Sequence, residues 1–404
     1  MDYKKSAGKT LQDISISLDN FIENKASPGL LGGYTGAALF YAYYYQLTEK
    51  KKHLHKVHKL LELAIHDLAA TALPFSHCNG IAGIVWCIQH LIKAGFAGDE
   101  GLEDIFEEVD EILGMEMTSA LQQGAHDFLH QGLGIALYFL DRDNQPVAVK
   151  WLETVVSDLQ ATAIRTSEGI TWQDHLTGLA GPQVNGMSFN MGLAHGVPAI
   201  LSILSMIHSK GIAKVQTADM IRNGINWIQA CKNSHAEEST ALYPVLVDGS
   251  HKALTGRQSR LGWCYGDLGI ATLMLNAGIS LEDAYLKENA LQIFYHTLQH
   301  RNIQNSNVHD ACLCHGSAGI SHIYRRAWHQ TKDPVLLNGA TYWLQHTLQQ
   351  NTHKEGPAGF RFYGKNDYEN SYGLLEGVAG IGLSLIAAID PDTAPAWDRC
   401  ILLC

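Results

Sequence analysis

The sequence predicts an all-α protein whose helices close into a double-layered ring, and three observations predict it. Seven short segments share a Gly-x-x-Gly-like step that opens a helical apolar run. Amphipathic stretches alternate with those runs along the chain. The steps recur roughly every 45 to 70 residues, enough for one helical hairpin and its loops. Each repeat then supplies one apolar helix for the inside and one amphipathic helix for the outside.

The steps fall in order along the chain. Gly33-Tyr-Thr-Gly36 opens the run 37–47, and Gly80-Ile-Ala-Gly83 opens 84–92. Gln131-Gly-Leu-Gly134 opens 135–140, and Gly196-Val-Pro-Ala199 opens 200–207. Gly266-Asp-Leu-Gly269, Gly316-Ser-Ala-Gly319 and Gly377-Val-Ala-Gly380 open 270–275, 320–324 and 381–389. Between them, 57–70, 151–163, 218–230 and 286–298 carry apolar residues at three- and four-residue intervals among charges. A helix that starts in a crowded place favours a residue without a side chain, which is the physical reason for the glycines. Gly33, Gly80 and Gly377 read as packing features alone. Three long loops, 178–190, 233–262 and 354–370, each precede the start of an inner helix, and loops of that length in a compact domain usually carry function. No inter-domain linker interrupts the pattern, so the chain reads as one domain over 1–404.

Composition narrows the function. A charged fraction of 17% with 46% hydrophobic residues fits a well-packed globule and not a disordered chain. A net charge of −11 opposes general nucleic-acid binding and suits cationic partners. The N-terminus has no apolar core of a signal peptide, and no uncharged stretch reaches the roughly 18 residues of a membrane span. Cysteines 78, 87, 231, 264, 312, 314, 400 and 404 are scattered, unlike a secreted disulfide scaffold, which points to a reducing cytoplasm.

The chemistry centres on Cys312-Leu-Cys-His-Gly-Ser-Ala-Gly319. Cys314 and His315 offer a thiol and an imidazole, donors that suit Zn²⁺. Adjacent residues cannot close a metal site alone. Cys264, in the similarly built Gly262-Trp-Cys-Tyr-Gly-Asp-Leu-Gly269, is the candidate third ligand. Two cysteines and a histidine leave a fourth position open, as catalytic zinc sites do. Buried structural thiols are the competing explanation, and Cys312 is an extra donor that would close the site if it bound. His195 stands at the next inner-helix start, where the ring places it beside the metal as a general acid/base. Asp127, one repeat earlier, is a carboxylate that could orient that imidazole, or a solvated cap. Arg260 could stabilise a developing enolate oxygen, or sit as a surface arginine. Trp263 and Tyr265 flank Cys264 and could simply pack, Asp267 could cap a helix, and Glu376 could line the rim. His77 and Cys78 read as packing residues, and His53, His55 and His58 as residues of polar helical faces.

Four of these motifs together resemble the lanthionine cyclase (LanC-like) family along nearly the whole chain. They are Gly262-Trp-Cys-Tyr-Gly266, Cys314-His-Gly316, Gly192-Leu-Ala-His-Gly196 and Leu374-Leu-Glu-Gly-Val-Ala-Gly380. The resemblance implies an α/α toroid of seven inner and seven outer helices with zinc at one end. It implies zinc ligands at Cys264, Cys314 and His315, an acid/base histidine at His195, a supporting aspartate at Asp127, an arginine at Arg260 and a tyrosine beside the site at Tyr265. Gln131 and Ala199 depart from the family's glycine steps, which implies altered packing and not lost chemistry. The implied reaction adds a peptide cysteine thiolate to dehydroalanine or dehydrobutyrine in the same lanthipeptide precursor. The chain is similar to the stand-alone cyclases, so its expected partners are a precursor peptide with leader and core and, transiently, a separate dehydratase. Two alternatives share the sequence features: addition of glutathione by the same site, and a non-catalytic zinc scaffold. A zinc prenyltransferase subunit fits worse, because its ligand pattern and glycine steps do not match.

Overall fold

The computed structural model describes residues 3–23, 27–99, 101–142, 145–175, 187–233, 239–365 and 367–404. Fourteen α-helices run through these residues. They are α1 (Tyr3–Glu23), α2 (Tyr34–Thr48), α3 (Lys51–Ala70), α4 (Ile81–Lys93), α5 (Glu103–Gln122), α6 (Gly132–Leu140) and α7 (Pro146–Thr162), followed by α8 (Val197–Ser209), α9 (Lys214–Ala230), α10 (Asp267–Ser280), α11 (Ala284–His300), α12 (Ser317–Thr331), α13 (Pro334–Gln349) and α14 (Val378–Ile389). Three short antiparallel pairs complete the described structure: β1 (Ile164–Arg165) with β2 (Ile170–Thr171), β3 (Ser188–Asn190) with β4 (Leu246–Asp248), and β5 (Phe362–Tyr363) with β6 (Tyr368–Glu369).

Helix character alternates strictly. The even-numbered helices other than α12 are mostly apolar and largely buried; every residue of α6, from Gly132 to Leu140, is buried. The odd-numbered ones bury a single stripe, as α3 does with His53, Val57, Leu60, Leu61 and Ala64. Each fully buried aliphatic or aromatic side chain contributes roughly 1.5–3 kcal/mol, so an all-buried helix is held by its neighbours and not by its own propensity.

The chain forms two compact units. The first takes Met1–Glu100 and Val308–Arg399, and the second takes Gly101–Asn307 and Cys400–Cys404. In the first unit α4 packs on α2, α2 on α14, and α14 on α12, with α3 and α13 covering α2 and α12 and α1 lying on α14. The first helix and the last therefore meet in one unit. In the second, α6, α8 and α10 lie side by side under α5, α7, α9 and α11.

Every step anticipated in the sequence stands at a helix start. Gly33, Gly80, Gln131, Gly196, Gly266, Gly316 and Gly377 are each the residue just before an even-numbered helix, and none caps it with a side chain. The reason is close approach: a methyl group on Gly319 would run into the Leu313 carbonyl of the preceding loop. Gly266 adds a second demand, a φ of 94° that L side chains rarely adopt. Gln131 replaces the glycine and puts its side chain to use, its Oε1 accepting the Asp127 amide at 3.1 Å.

Neighbouring loops are stitched by backbone at one register, two residues before the cap. In the first unit the Cys314 amide donates to the Leu375 carbonyl at 3.0 Å, the Leu375 amide to Leu31 at 3.0 Å, and the Leu31 amide to Cys78 at 2.8 Å. In the second the Ala194 amide donates to the Cys264 carbonyl at 3.4 Å.

Two details differ from the sequence reading. His53 does not lie on a polar face: it is buried, its ring centre 4.4 Å from that of Tyr44, and burial together with nearby lysines lowers its pKa to about 4. The sixth apolar helix is also far longer than the run 320–324. It reaches Thr331 because its polar residues are buried in pairs: His322 Nε2 lies 2.9 Å from Asp398 Oδ2, and Arg326 Nε 3.0 Å from the same oxygen.

Candidate active site

In the second unit, three loop ends bring four chemically active side chains together. The β3–β4 pairing aligns Asn190 with Leu246, and the Met191 amide continues it by donating to Val245 at 3.0 Å. Asn190 Oδ1 accepts the Gly192 amide at 2.9 Å and turns the chain toward α8. Gly192 lies against the Cys264 carbonyl and the Tyr265 ring, where no side chain fits. His195 follows, one residue before the cap of α8.

His195 is held by Asp127. Its Nδ1 lies 2.5 Å from Asp127 Oδ2, while Asp127 Oδ1 accepts the His130 amide at 2.6 Å. Burial alone would lower the His195 pKa. The Asp127 hydrogen bond and charge, with Cys264 and Asp174, more than offset it, so the pKa is raised. The Tyr265 ring centre lies 5.9 Å from that of His195, and burial raises the tyrosine's pKa well above its ordinary value. A narrow cleft is lined by Asp127, Gln131, Asp174, Asn190 and His195.

The loop carrying Cys264 is anchored from below. Asp267, the first residue of α10, accepts the amides of Leu242 and Tyr243 at 3.0 Å each. Arg301 Nη1 lies 3.5 Å from Asp267 Oδ2, and its Nη2 donates to the Ser259 carbonyl at 2.7 Å; both charged side chains are fully buried. Trp263 is buried and donates its Nε1–H to the Ile401 carbonyl at 2.6 Å. Cys264 itself is buried, and Arg260 stands half-buried four residues earlier on the same loop.

In the first unit, Cys314 and His315 are both buried at the end of the loop before α12. Asp310 organises that loop, its Oδ1 accepting the Cys312 amide at 2.9 Å and its Oδ2 the Tyr363 amide of β5 at 2.8 Å. His315 Nε2 lies 3.8 Å from Asp310 Oδ2, and the Phe362 ring centre 5.3 Å from the imidazole. Cys312 is turned inward: its Sγ accepts the His315 amide at 3.4 Å, and burial, with the Asp310 charge, pushes its thiol pKa well up. Glu376 is exposed, whereas His77 is buried beside Cys78, whose carbonyl takes the Leu31 amide.

Of the residues singled out from sequence, the second unit thus brings His195, Asp127, Tyr265 and Cys264 into one neighbourhood, with Arg260 on the adjoining loop. His130 is the addition. Exposed, it stacks its ring on His195 with centres 5.8 Å apart and planes 19° from parallel. Its register was the available signal, because it precedes the cap Gln131 as His195 precedes Gly196 and His315 precedes Gly316. Of the three long loops, residues 178–186, 234–238 and Asn366 lie outside the described residues.

Comparison with known proteins completes the picture. The nisin biosynthesis protein NisC of Lactococcus lactis subsp. lactis is 24% identical over 220 residues, a stretch covering 53% of this chain and 48% of that relative, so the match spans about half of the relative's length. The solved structure of a nisin cyclase superposes with a TM-score of 0.69 at 19% identity over 97% of both chains, which shows the α/α-toroid fold. The family model "Lanthionine synthetase C-like protein" matches residues 25–402. The chain belongs to the lanthionine synthetase C-like family.

Proposed function

We propose that this protein is a zinc-dependent lanthionine cyclase. It adds cysteine thiols of a dehydrated precursor peptide to dehydroalanine or dehydrobutyrine in the same peptide, closing thioether rings. Family membership and the likeness to a nisin cyclase support the reading. The observation that carries it is the 2.5 Å contact between His195 and Asp127, in electrostatic reach of the Cys264 thiol. A histidine tuned by a carboxylate next to a soft metal ligand is the equipment that a thiol addition requires.

The proposed zinc ligands are Cys264, Cys314 and His315. Their chemistry fits the ion: two buried thiols and an imidazole form a soft set of three that leaves a fourth position for substrate. The thiols occupy one register, each two residues before a cap, and the imidazole follows directly. Cys312 is left out of this set because its sulfur already receives the His315 amide. Zinc, when bound, would lower the pKa of an incoming thiol from its usual value of about 8.5.

The remaining steps belong to side chains. The substrate sulfur forms a bond to Cβ of the dehydro residue, and the double-bond electrons move onto Cα and its carbonyl oxygen. Arg260 stabilises the negative oxygen. His195, held upright by Asp127, delivers a proton to Cα and is restored by the proton that the thiol gave up. Tyr265 packs beside the imidazole and limits its rotation. No redox change occurs, and atoms balance as addition of S–H across a carbon–carbon double bond. The same reading takes residues 1–404 as one working domain in the cytoplasm, acting on leader-bearing precursors and meeting a separate dehydratase transiently.

The test measures zinc content and cyclisation together, on the wild type and on Cys314→Ala. One zinc per chain, with metal and ring formation both lost in the variant, is the expected result. Absence of zinc from protein purified without chelators would overturn the metal assignment. Retained zinc with glutathione addition but no ring closure would redirect the reading to an intermolecular thiol transfer.

A further inference from the structure

The proposed thiolate-rich metal set leaves His130 unused, although it is one of three donors clustered in the second unit. Asp127, His130 and His195 each present a ligand atom, and these atoms lie within 4.8 Å of one another. We propose that these three residues form a second, weaker zinc site whose occupation silences His195.

The geometry is close to what an ion needs. Zinc takes nitrogen at about 2.0–2.1 Å and carboxylate oxygen at about 2.0–2.2 Å, which sets donors roughly 3–3.5 Å apart. Drawing in donors now up to 4.8 Å apart takes about an ångström of movement, and the exposed His130 ring is free to supply it. The ion would take the place of the proton between His195 Nδ1 and Asp127 Oδ2, which lie 2.5 Å apart and must open slightly to admit it. Asp127 Oδ1 keeps the His130 amide, which leaves Oδ2 to the ion. The ring face of His130 that packs on His195 is desolvated, which lowers its pKa, so its imidazole is neutral, the form that binds metal.

Three N and O donors, one of them on an exposed residue, bind zinc less firmly than a set with two thiolates. The site therefore fills only when zinc exceeds one equivalent. A metal on Nδ1 takes the place of the Asp127 hydrogen bond and draws electron density from the ring, so Nε2 loses the basicity that proton transfer needs, and excess zinc stops the reaction without touching the first ion. Binding at this site does not depend on the cyclase reading, whereas the inhibition rests on it, and the two arms of the test separate them.

The experiment titrates the purified protein with zinc against a chromophoric chelator, comparing the wild type with His130→Ala and His130→Gln. The wild type takes up a second equivalent more weakly than the first, and both variants lose the second while keeping the first. Cobalt provides an independent reading: the first equivalent shows intense thiolate charge-transfer absorption, and the second adds none. In the cyclisation assay, zinc beyond one equivalent slows the wild type by about 100-fold, the usual share of an acid/base group, and each variant is compared with itself at one equivalent. Equal stoichiometry in the wild type and the His130 variants would overturn the site. So would inhibition that survives in the variants, or a second equivalent that leaves the wild-type rate intact. A second equivalent lost with His130, in a protein that closes no rings, would support the site and sink the cyclase reading alone.

Discussion

His195 and Asp127 form the pair on which the proposed chemistry turns, and the pairing has a pH signature. His195 is raised above its unfolded value, so its protonation stabilises the fold by an amount fully present below about pH 6.5 and lost as pH rises through the folded pKa. Asp127→Asn removes that contribution. Urea titrations are expected to show the variant falling further below the wild type at about pH 5 than at about pH 8. Its cyclisation rate should drop by about 10- to 100-fold, as for a lost orienting carboxylate. Cys264, Cys314, His195 and His315 were legible as candidates from register, since each precedes a glycine step by one or two residues. His130 escaped because Gln131 breaks that pattern. His53 was misread for another reason: a histidine among lysines looks solvated until a tyrosine stacks on it.

Among elements, the helix starts were the most readable feature, because close backbone contact admits only glycine at most of them. Gly319→Ala should cost about 1–3 kcal/mol, because the new methyl meets a carbonyl and the loop must shift. Gly8→Ala, on an exposed turn of α1 with open space around it, should instead stabilise by about 0.5–1 kcal/mol. Thermal or urea denaturation of the two variants decides both signs. Arg301→Met strands the buried Asp267 carboxylate and frees the Ser259 carbonyl, with an expected loss of about 3–5 kcal/mol. The apolar helices could be read from charge-poor runs, but α12 could not. Its His322 and Arg326 look like a surface until Asp398, 76 residues beyond His322, is known to pair with both.

For the molecule as a whole, α1 is tied to elements from the last part of the chain. Leu11, Ile14 and Leu18 of α1 are buried, the Phe21 ring stacks on Tyr372 at 4.8 Å, and the Ala358 amide donates to Ser17 Oγ at 2.9 Å. Three buried aliphatic side chains contribute about 5–9 kcal/mol together, a large part of the 5–15 kcal/mol that holds a typical protein folded. Deleting α1 should therefore leave an aggregating chain or lower the melting temperature by more than about 10 °C. Light scattering and calorimetry would show which. That closure was implied by the repeat count and invisible in any local stretch, because the partners lie more than 300 residues apart.

The backbone stitching between loops has a consequence for how new activities arise. Amide-to-carbonyl bonds join the loops at Leu31, Cys78, Cys314 and Leu375, and at Ala194 and Cys264, positions whose side chains are themselves buried. The next position along carries Gly32, Asn79, His130, His195, Tyr265, His315 and Glu376, a sampler of small, amide, imidazole, phenol and carboxylate groups. Because the register is held by these main-chain bonds and by the buried residue before it, the neighbouring group can be exchanged by a single substitution, and reactivity can drift while foldability is kept.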